Sequence, residues 1–198
     1  GKTLALGAMM RSTGRLYAFD VSEKRLIKMR PRVARSGLSN IHPVLIDSEN
    51  DIKVKRLAGK IDRVLVDAPC SGLGTLRRNP DLKWRQTPTA VEELVVKQGA
   101  ILAGAARLVK PGGRLVYATC SLLDAENRGV IDTFLASHPD FVRLPANEIL
   151  AAGRIDLDTG IDLELRPDIH GTDGFYAAVM ERRGANSAAT QPETVDEA

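Results

Sequence analysis

Short apolar runs alternate with amphipathic segments along the chain, which predicts strands alternating with helices. Within a predicted strand over residues 61–67, apolar and β-branched residues run from Val64 to Val66 and stop at Asp67, where a Pro/Gly loop begins. Such a run, bounded by turn residues, is typical of a buried strand. The same criteria predict strands over residues 14–20, 40–47, 113–119, 141–144 and 174–181.

Helices are predicted over residues 1–10, 24–35, 87–109 and 124–137 from apolar spacing and capping residues. The second of these helices is basic, and it is predicted to be interrupted at Pro31 and to end at a Ser-Gly pair. Strands that alternate with helices indicate an α/β fold. Ligands of such folds bind at the carboxyl ends of the strands.

The rear of the chain departs from this alternation. Residues 146–168 are polar and acidic without a clear period, which predicts a loop, and the last strand is predicted to be antiparallel and near the sheet edge. Residues 184–198 have the small-residue, acidic composition of a disordered tail. The 198 residues have the length of one domain.

Two predicted strands end close to the only two cysteines, Cys70 and Cys120. Either cysteine alone would be expected to be a small buried apolar residue, and a single disulfide is a further alternative. Taken together, and with Asp67-Ala-Pro before the first, the pair favours a shared catalytic pocket. The absence of a larger cysteine framework favours a reducing, cytoplasmic location.

The charged residues are unevenly distributed along the chain. Residues 1–120 contain 22 Lys and Arg against 10 Asp and Glu, whereas residues 121–198 contain 6 against 15. A basic front portion suits a polyanion such as RNA, and a solvated surface is the alternative. No apolar run approaches the ~20 residues of a membrane span, and neither a membrane nor a metal ion is expected as a partner.

The loop after Asp67 carries the most specific signal. Asp67-Ala-Pro-Cys-Ser-Gly-Leu-Gly and the arginine-containing stretch that follows to Trp84 resemble the signature of the Sun-type RNA cytosine-5 methyltransferases, and Tyr117-Ala-Thr-Cys-Ser121 resembles their second signature. The resemblance covers residues 1–183, and within the family the sequence is similar to the bacterial branch that methylates 16S rRNA. It implies a Rossmann-like sheet with helices on both faces. It also implies methylation of carbon 5 of a cytosine by S-adenosylmethionine (SAM), in rRNA rather than tRNA.

The same resemblance bears on the start of the sequence. Gly1-Lys-Thr resembles the end of a glycine-rich turn that holds the amino-acid part of SAM. The strand before that turn is absent from the sequence, and it would lie between the strands that end at Asp20 and Asp67. Residues 1–183 are therefore expected to be a SAM-dependent catalytic domain without its first strand and most of that turn.

The resemblance implies a set of cofactor-binding residues, namely Gly1, Lys2, Asp20, Asp47 and Asp67. An acidic residue at the position of Asp20 accepts hydrogen bonds from ribose hydroxyls in nucleotide-binding α/β units, and a helix N-cap is the alternative. Asp47 is expected at the adenine amino group, with an ordinary loop aspartate as an equal alternative.

Methylation at carbon 5 of cytosine requires covalent activation of the ring. A thiolate that adds at carbon 6 makes carbon 5 nucleophilic, and a carboxyl group at N3 and the exocyclic amine would stabilise the adduct. The residues alone leave open which cysteine attacks. The resemblance assigns the attack to Cys120 and product release to Cys70, and it implies that Asp67 holds the base while Lys2 orients Asp67 or the base.

Four RNA-binding candidates, Arg77, Arg78, Lys83 and Trp84, follow Cys70. Cations bind phosphates, and an aromatic ring can stack on an unpaired base. A buried tryptophan that anchors the loop is the alternative for Trp84. Two other functions are kept open: a catalytically incomplete RNA-binding fragment, and a SAM-dependent methyltransferase for a substrate other than RNA.

Overall fold

The computed structural model describes residues 1–184, in two compact units that divide between Arg56 and Leu57. The predicted tail of residues 184–198 lies outside the described residues, apart from Gly184. No helix within residues 1–184 is long and apolar enough to cross a bilayer.

The first unit is a pair of parallel strands with helices. Its elements are α1 (Lys2–Met9), β1 (Leu16–Asp20), α2 (Glu23–Ser36), β2 (Ile41–Leu45) and α3 (Ile52–Lys55). Leu16 lies opposite Ile41, and Asp20 lies opposite Leu45. Helix α2 packs against both strands and ends, as predicted, at Gly37, whose φ of 68° suits glycine.

Helix α2 continues through Pro31, so the predicted interruption is wrong. A proline inside a helix removes one backbone hydrogen bond and crowds the preceding turn. Helix α2 packs against both β1 and β2. Helices in proteins owe most of their stability to such packing rather than to local propensity.

The second unit contains the larger sheet. Its elements are β3 (Ile61–Asp67), α4 (Leu82–Arg85), α5 (Pro88–Ala106), β4 (Val109–Thr119), α6 (Arg128–Ser137), β5 (Phe141–Leu144), α7 (Ala146–Ala152), β6 (Leu163–Leu165), α8 (Pro167–His170) and β7 (Phe175–Arg182). The strand order is β3-β4-β7-β5, and β6 also pairs with β7. Strands β3 and β4 are parallel, whereas β7 is antiparallel to each of its neighbours.

Strand β7 lies between β4 and the edge strand β5, so its predicted place near the sheet edge and its antiparallel direction are both confirmed. Tyr117 of β4 lies opposite Ala178 of β7, and both residues are fully buried. The apolar run of β7 contacts protein on both faces, which is typical of a central strand.

The loop predicted over residues 146–168 is confirmed for residues 153–162 but wrong on either side, where α7, β6 and the beginning of α8 lie. Long-range contacts hold this segment. The carboxylate of Asp162, which is 2% exposed, accepts hydrogen bonds from Arg143 Nε at 2.8 Å and from the Tyr176 hydroxyl at 2.6 Å. Such contacts leave no periodic pattern in the local sequence.

Helices α5 and α6 pack together, and α5 also packs against β3 and β4. Thr87 caps α5 as predicted, because its hydroxyl oxygen accepts a hydrogen bond from the Ala90 amide at 3.2 Å. Leu102, Leu115 and Ile131 are fully buried here. Each such side chain contributes about 1.5–3 kcal/mol by leaving water. This core fixes the two strands that precede the cysteines.

Candidate active site

Parallel pairing of β3 and β4 brings the two cysteines together. Asp67 lies opposite Ala118, and the pairing extends one step further because the Ala68 amide donates to the Ala118 carbonyl at 2.9 Å. Cys70 Sγ then lies 3.4 Å from Cys120 Sγ. Both side chains are half-buried. The thiols are free, because a disulfide would place the two sulfurs about 2.05 Å apart. The predicted meeting of the cysteines at one edge is present in the structure.

The environment of Cys70 favours its protonated form. The hydrogen bond with Cys120 raises the pKa of the Cys70 thiol, and burial and the negative charge of a Cys120 thiolate raise this pKa further. Either sulfur can be the donor across the 3.4 Å contact, and a Cys70 that keeps its proton can donate it to Cys120. A hydrogen bond to a thiolate stabilises that thiolate, which is the nucleophilic form of cysteine.

Alkylation of Cys70 by iodoacetamide is expected to be slower at pH 8.5 than alkylation of a free cysteine, because a raised pKa reduces the thiolate fraction at that pH. The rate should keep rising above pH 9. Peptide mass spectrometry of samples quenched across pH 7–10.5 measures this. In a Cys120→Ala variant the main cause of the raised pKa is gone, so Cys70 should react faster at pH 8.5. An unchanged rate would show that Cys120 does not raise the pKa of Cys70.

Two glycines allow the loops of this edge to approach closely. The Gly74 amide donates to the Cys120 carbonyl at 2.9 Å, and the Gly174 amide donates to the Gly74 carbonyl at 2.7 Å. A Cβ on Gly74 would lie 2.4 Å from the Gly174 oxygen and 2.7 Å from the Cys120 oxygen. The backbone next to Cys120 is therefore braced by contacts that only glycine permits.

Asp67 is exposed at the end of β3. It lies at the same edge of the sheet as the cysteines, where a bound base could reach it. Its expected role at the base stays a prediction.

A buried polar network that the sequence analysis missed lies beside the cysteines. It consists of Ser71, Gln98, Ser121, Glu126 and Asn127, all of which are buried. The Tyr117 hydroxyl donates to the Glu126 carbonyl at 2.7 Å, and burial raises the pKa of Tyr117. One signal was available in the sequence, because each cysteine is followed by a serine.

The first unit contains a separate cavity of about 310 Å³. Gly1 and Asp20 line it, together with residues of α2, whereas Lys2 and Asp47 are not among the lining residues. Asp20 Oδ1 accepts a hydrogen bond from the Ser22 amide at 2.8 Å, and Ser22 is the N-cap of α2. A carboxylate has further acceptor sites, so this cavity suits a ligand with hydroxyl groups.

Trp84 is 81% exposed, so the alternative of a buried anchor is wrong. The Lys83 ammonium lies 4.9 Å from the centroid of its ring. Arg77 Nη1 donates to the Gly171 carbonyl at 3.2 Å, and Arg78 Nε lies 2.8 Å from Asp173 Oδ2. The structure therefore holds these two arginines against the segment before β7, while the tryptophan ring projects into solvent.

Comparison with known proteins gives a consistent result. The profile of the family described as 16S rRNA methyltransferase RsmB/F matches residues 1–181. The crystal structure of PH0851 aligns with a TM-score of 0.83 and 36% identity, over 92% of this chain and 40% of that chain. The structure of NSun6 from Pyrococcus horikoshii with SFG, an analogue of SAM, aligns with a TM-score of 0.77 and 27% identity, over 92% and 45%.

Two relatives with assigned names agree with this match. The probable ribosomal RNA small subunit methyltransferase B of Synechocystis sp. is 40% identical over 185 residues, which are 92% of this chain and 41% of the relative. The ribosomal RNA small subunit methyltransferase F of Escherichia coli O9:H4 is 30% identical over 192 residues, which are 96% and 40%. The chain thus spans about two fifths of the length of these relatives. It belongs to the RsmB/F family of Sun-type 16S rRNA methyltransferases.

Proposed function

We propose that the chain supplies the catalytic residues for SAM-dependent methylation of carbon 5 of a cytosine in small-subunit rRNA, in the bacterial cytoplasm. The contact that carries the proposal is the 3.4 Å approach of the Cys70 and Cys120 sulfurs at the ends of β3 and β4. A thiolate with a second thiol beside it suits a reaction in which one sulfur bonds to the base and must later leave it. Residues 1–183 act as the catalytic domain.

In this mechanism Cys120 attacks carbon 6 of the cytosine, and electron density moves to carbon 5. Asp67 holds N3 and the exocyclic amine of the ring, which stabilises the adduct. SAM supplies an electrophilic methyl group for carbon 5. The proton on carbon 5 must pass to a base before the Cys120–carbon 6 bond breaks, and Cys70 assists the departure of the Cys120 sulfur from the methylated base. The cytosine is unpaired or flipped out so that it can reach the sheet edge.

The cavity of the first unit fits part of the cofactor. Asp20 would accept hydrogen bonds from the ribose hydroxyls, and Gly1 lines the same cavity. Lys2, Asp47 and Asp67 keep their expected roles at the cofactor or the base as part of this proposal.

A methyl-transfer assay tests the proposal. The 198-residue chain is incubated with SAM carrying a labelled methyl group and with unmodified small-subunit rRNA or tRNA, and the nucleosides are identified by mass spectrometry. Label is expected in 5-methylcytidine from the rRNA. Label on another nucleoside would contradict the cytosine-5 assignment, and label mainly on tRNA would contradict the rRNA preference. RNA binding without any transfer would favour the RNA-binding fragment.

Trp84→Ala is expected to weaken binding of single-stranded RNA about 5- to 150-fold, because each stacked base contributes about 1–3 kcal/mol. The exposed ring makes little contribution to the fold, so thermal stability should not change. Fluorescence anisotropy measures the affinity. Since Trp84 is the only tryptophan, quenching of its emission reports stacking directly.

The matched control for this measurement is Val96→Ala, which truncates another exposed apolar residue, 75% exposed and located on α5. Trp84→Phe should retain most of the affinity because it keeps an aromatic face. Equal changes in RNA affinity on alanine substitution at Trp84 and at Val96 would show that Trp84 is not part of the RNA-binding surface.

A further inference from the structure

Glu126 has a fully buried carboxyl group that the mechanism above does not use. It lies in a short 3₁₀ turn, Asp124–Glu126, between β4 and α6. Burial of a carboxylate is costly unless hydrogen-bond donors replace the lost water. The identity of those donors therefore indicates what the residue holds in place.

Four donors from three residues surround the Glu126 carboxylate. Oε1 accepts hydrogen bonds from the Ser71 amide at 2.8 Å and from Gln98 Nε2 at 3.0 Å. Oε2 accepts hydrogen bonds from the Ser71 hydroxyl at 2.5 Å and from the Ser121 hydroxyl. Hydrogen bonds to an ionised acceptor are shorter and stronger than those between neutral groups.

These donors lie next to the cysteines in the chain. Ser71 directly follows Cys70, Ser121 directly follows Cys120, and the two serine hydroxyls are 3.2 Å apart. Gln98 Nε2 also donates to the carbonyl of Pro69, the residue before Cys70, at 2.9 Å. One carboxylate thus connects the two loops at positions adjacent to both sulfurs.

We propose that Glu126 is a positioning residue that sets the separation of the Cys70 and Cys120 sulfurs through its hydrogen bonds to Ser71 and Ser121. The assignment of a catalytic purpose to this separation rests on the proposed function. The separation of the two sulfurs itself does not depend on the proposed function. It can therefore be measured through the reactions of the two thiols alone. A displacement of about 1 Å at a catalytic group can cost about 100-fold in rate.

The test uses Glu126→Gln in the 198-residue chain. The serine hydroxyls can rotate to accept hydrogen bonds from the new amide, so the side-chain volume is kept while the charged acceptor is lost. The first readout is the equilibrium of the two cysteines with glutathione, in which oxidised glutathione converts the two thiols into a disulfide and yields two reduced glutathiones. The effective concentration of one thiol at the other is expected to fall about tenfold or more.

The second readout separates kcat from KM in the methyl-transfer assay. Glu126→Gln should lower kcat about 10- to 100-fold and leave KM for RNA unchanged, because the RNA-binding loop keeps its residues. Ser71→Ala and Ser121→Ala should each give part of the loss, and neither should add its full effect to Glu126→Gln. Glu148→Gln, which neutralises an exposed glutamate of α7, is the matched control.

The outcomes distinguish this inference from the proposed function. A folded Glu126→Gln variant with an unchanged glutathione equilibrium would overturn the positioning role. A lowered effective concentration of one thiol at the other supports the positioning role, even if the unsubstituted chain transfers no methyl group. Absence of methyl transfer by the unsubstituted chain would count against the proposed function alone. If Glu126→Gln does not fold, the test passes to Ser121→Ala, which leaves three donors on Glu126. This variant must lower the effective concentration of one thiol at the other, and its failure to do so would overturn the positioning role.

Discussion

Replacing Cys120 with alanine is expected to abolish methyl transfer, and replacing Cys70 with alanine is expected to leave the chain covalently bound to RNA. Without the Cys120 sulfur the base is never activated at carbon 5, and loss of a nucleophile costs about 10³-fold or more. Without Cys70 the adduct still forms. Its breakdown is slow because the thiol that lies 3.4 Å from the departing sulfur is missing.

A denaturing gel of each variant, after incubation with SAM and rRNA, detects the adduct as a band of reduced mobility. The double variant, with alanine at both positions, serves as the control and should show no such band. An adduct in the Cys120→Ala variant would reverse the two roles and make Cys70 the nucleophile. That arrangement is the one found in the DNA cytosine-5 methyltransferases, whose attacking cysteine follows a proline.

Gly74→Ala is expected to destabilise the second unit by roughly 2–5 kcal/mol, from overpacking and weakened hydrogen bonds. The added Cβ would meet the backbone oxygens of Gly174 and Cys120 at 2.4 and 2.7 Å, and backbone atoms cannot move aside as a flexible side chain can. The two hydrogen bonds of Gly74 would lengthen as the loops separate. Thermal unfolding followed by circular dichroism measures the loss.

Gly99→Ala is the matched control for this substitution. Gly99 lies inside α5, and a Cβ there would meet no atom within 4 Å. Alanine should stabilise the helix by about 0.5–1 kcal/mol, because glycine is the poorer helix former. The two glycine-to-alanine substitutions should therefore shift the melting temperature in opposite directions. Equal shifts would show that the close backbone approach at Gly74 does not contribute to stability.

The meeting of Cys70 and Cys120 could be predicted because it follows from strand direction. Two parallel neighbouring strands end at the same edge, so any residues just after them lie close together. Only the pairing of β3 with β4 had to be assumed. The 3.4 Å separation could not be predicted, since it depends on loop contacts such as that between the Gly74 amide and the Cys120 carbonyl.

Glu126 could not be identified from the sequence because its burial results from partners far away along the chain. Ser71 precedes it by 55 residues and Gln98 by 28. A glutamate near a helix start is ordinarily exposed, and the local pattern offers no reason to expect otherwise. The exposure of Trp84 could not be predicted from the sequence either, since a tryptophan in a loop can be buried or exposed.

That β7 has neighbours on both sides while lying next to the sheet edge was predictable in part. Its run from Phe175 to Met180 is apolar on both faces, which is typical of a strand with neighbours on either side. Sequence order says little about order across a sheet once strands are joined by long connections, and here β4 and β7 are joined through two strands and three helices.

The position of β7 also affects the order in which the catalytic edge is completed. During synthesis both cysteines emerge well before β7, which supplies the pairing partner of β5 and the second partner of β4. The contact between Gly74 and Gly174 joins residues 100 positions apart, and contacts of such long range form late because they require closure of a large loop. The growing chain therefore carries two free thiols on an unfinished sheet, and they gain their final surroundings only when residues 174–182 have been made.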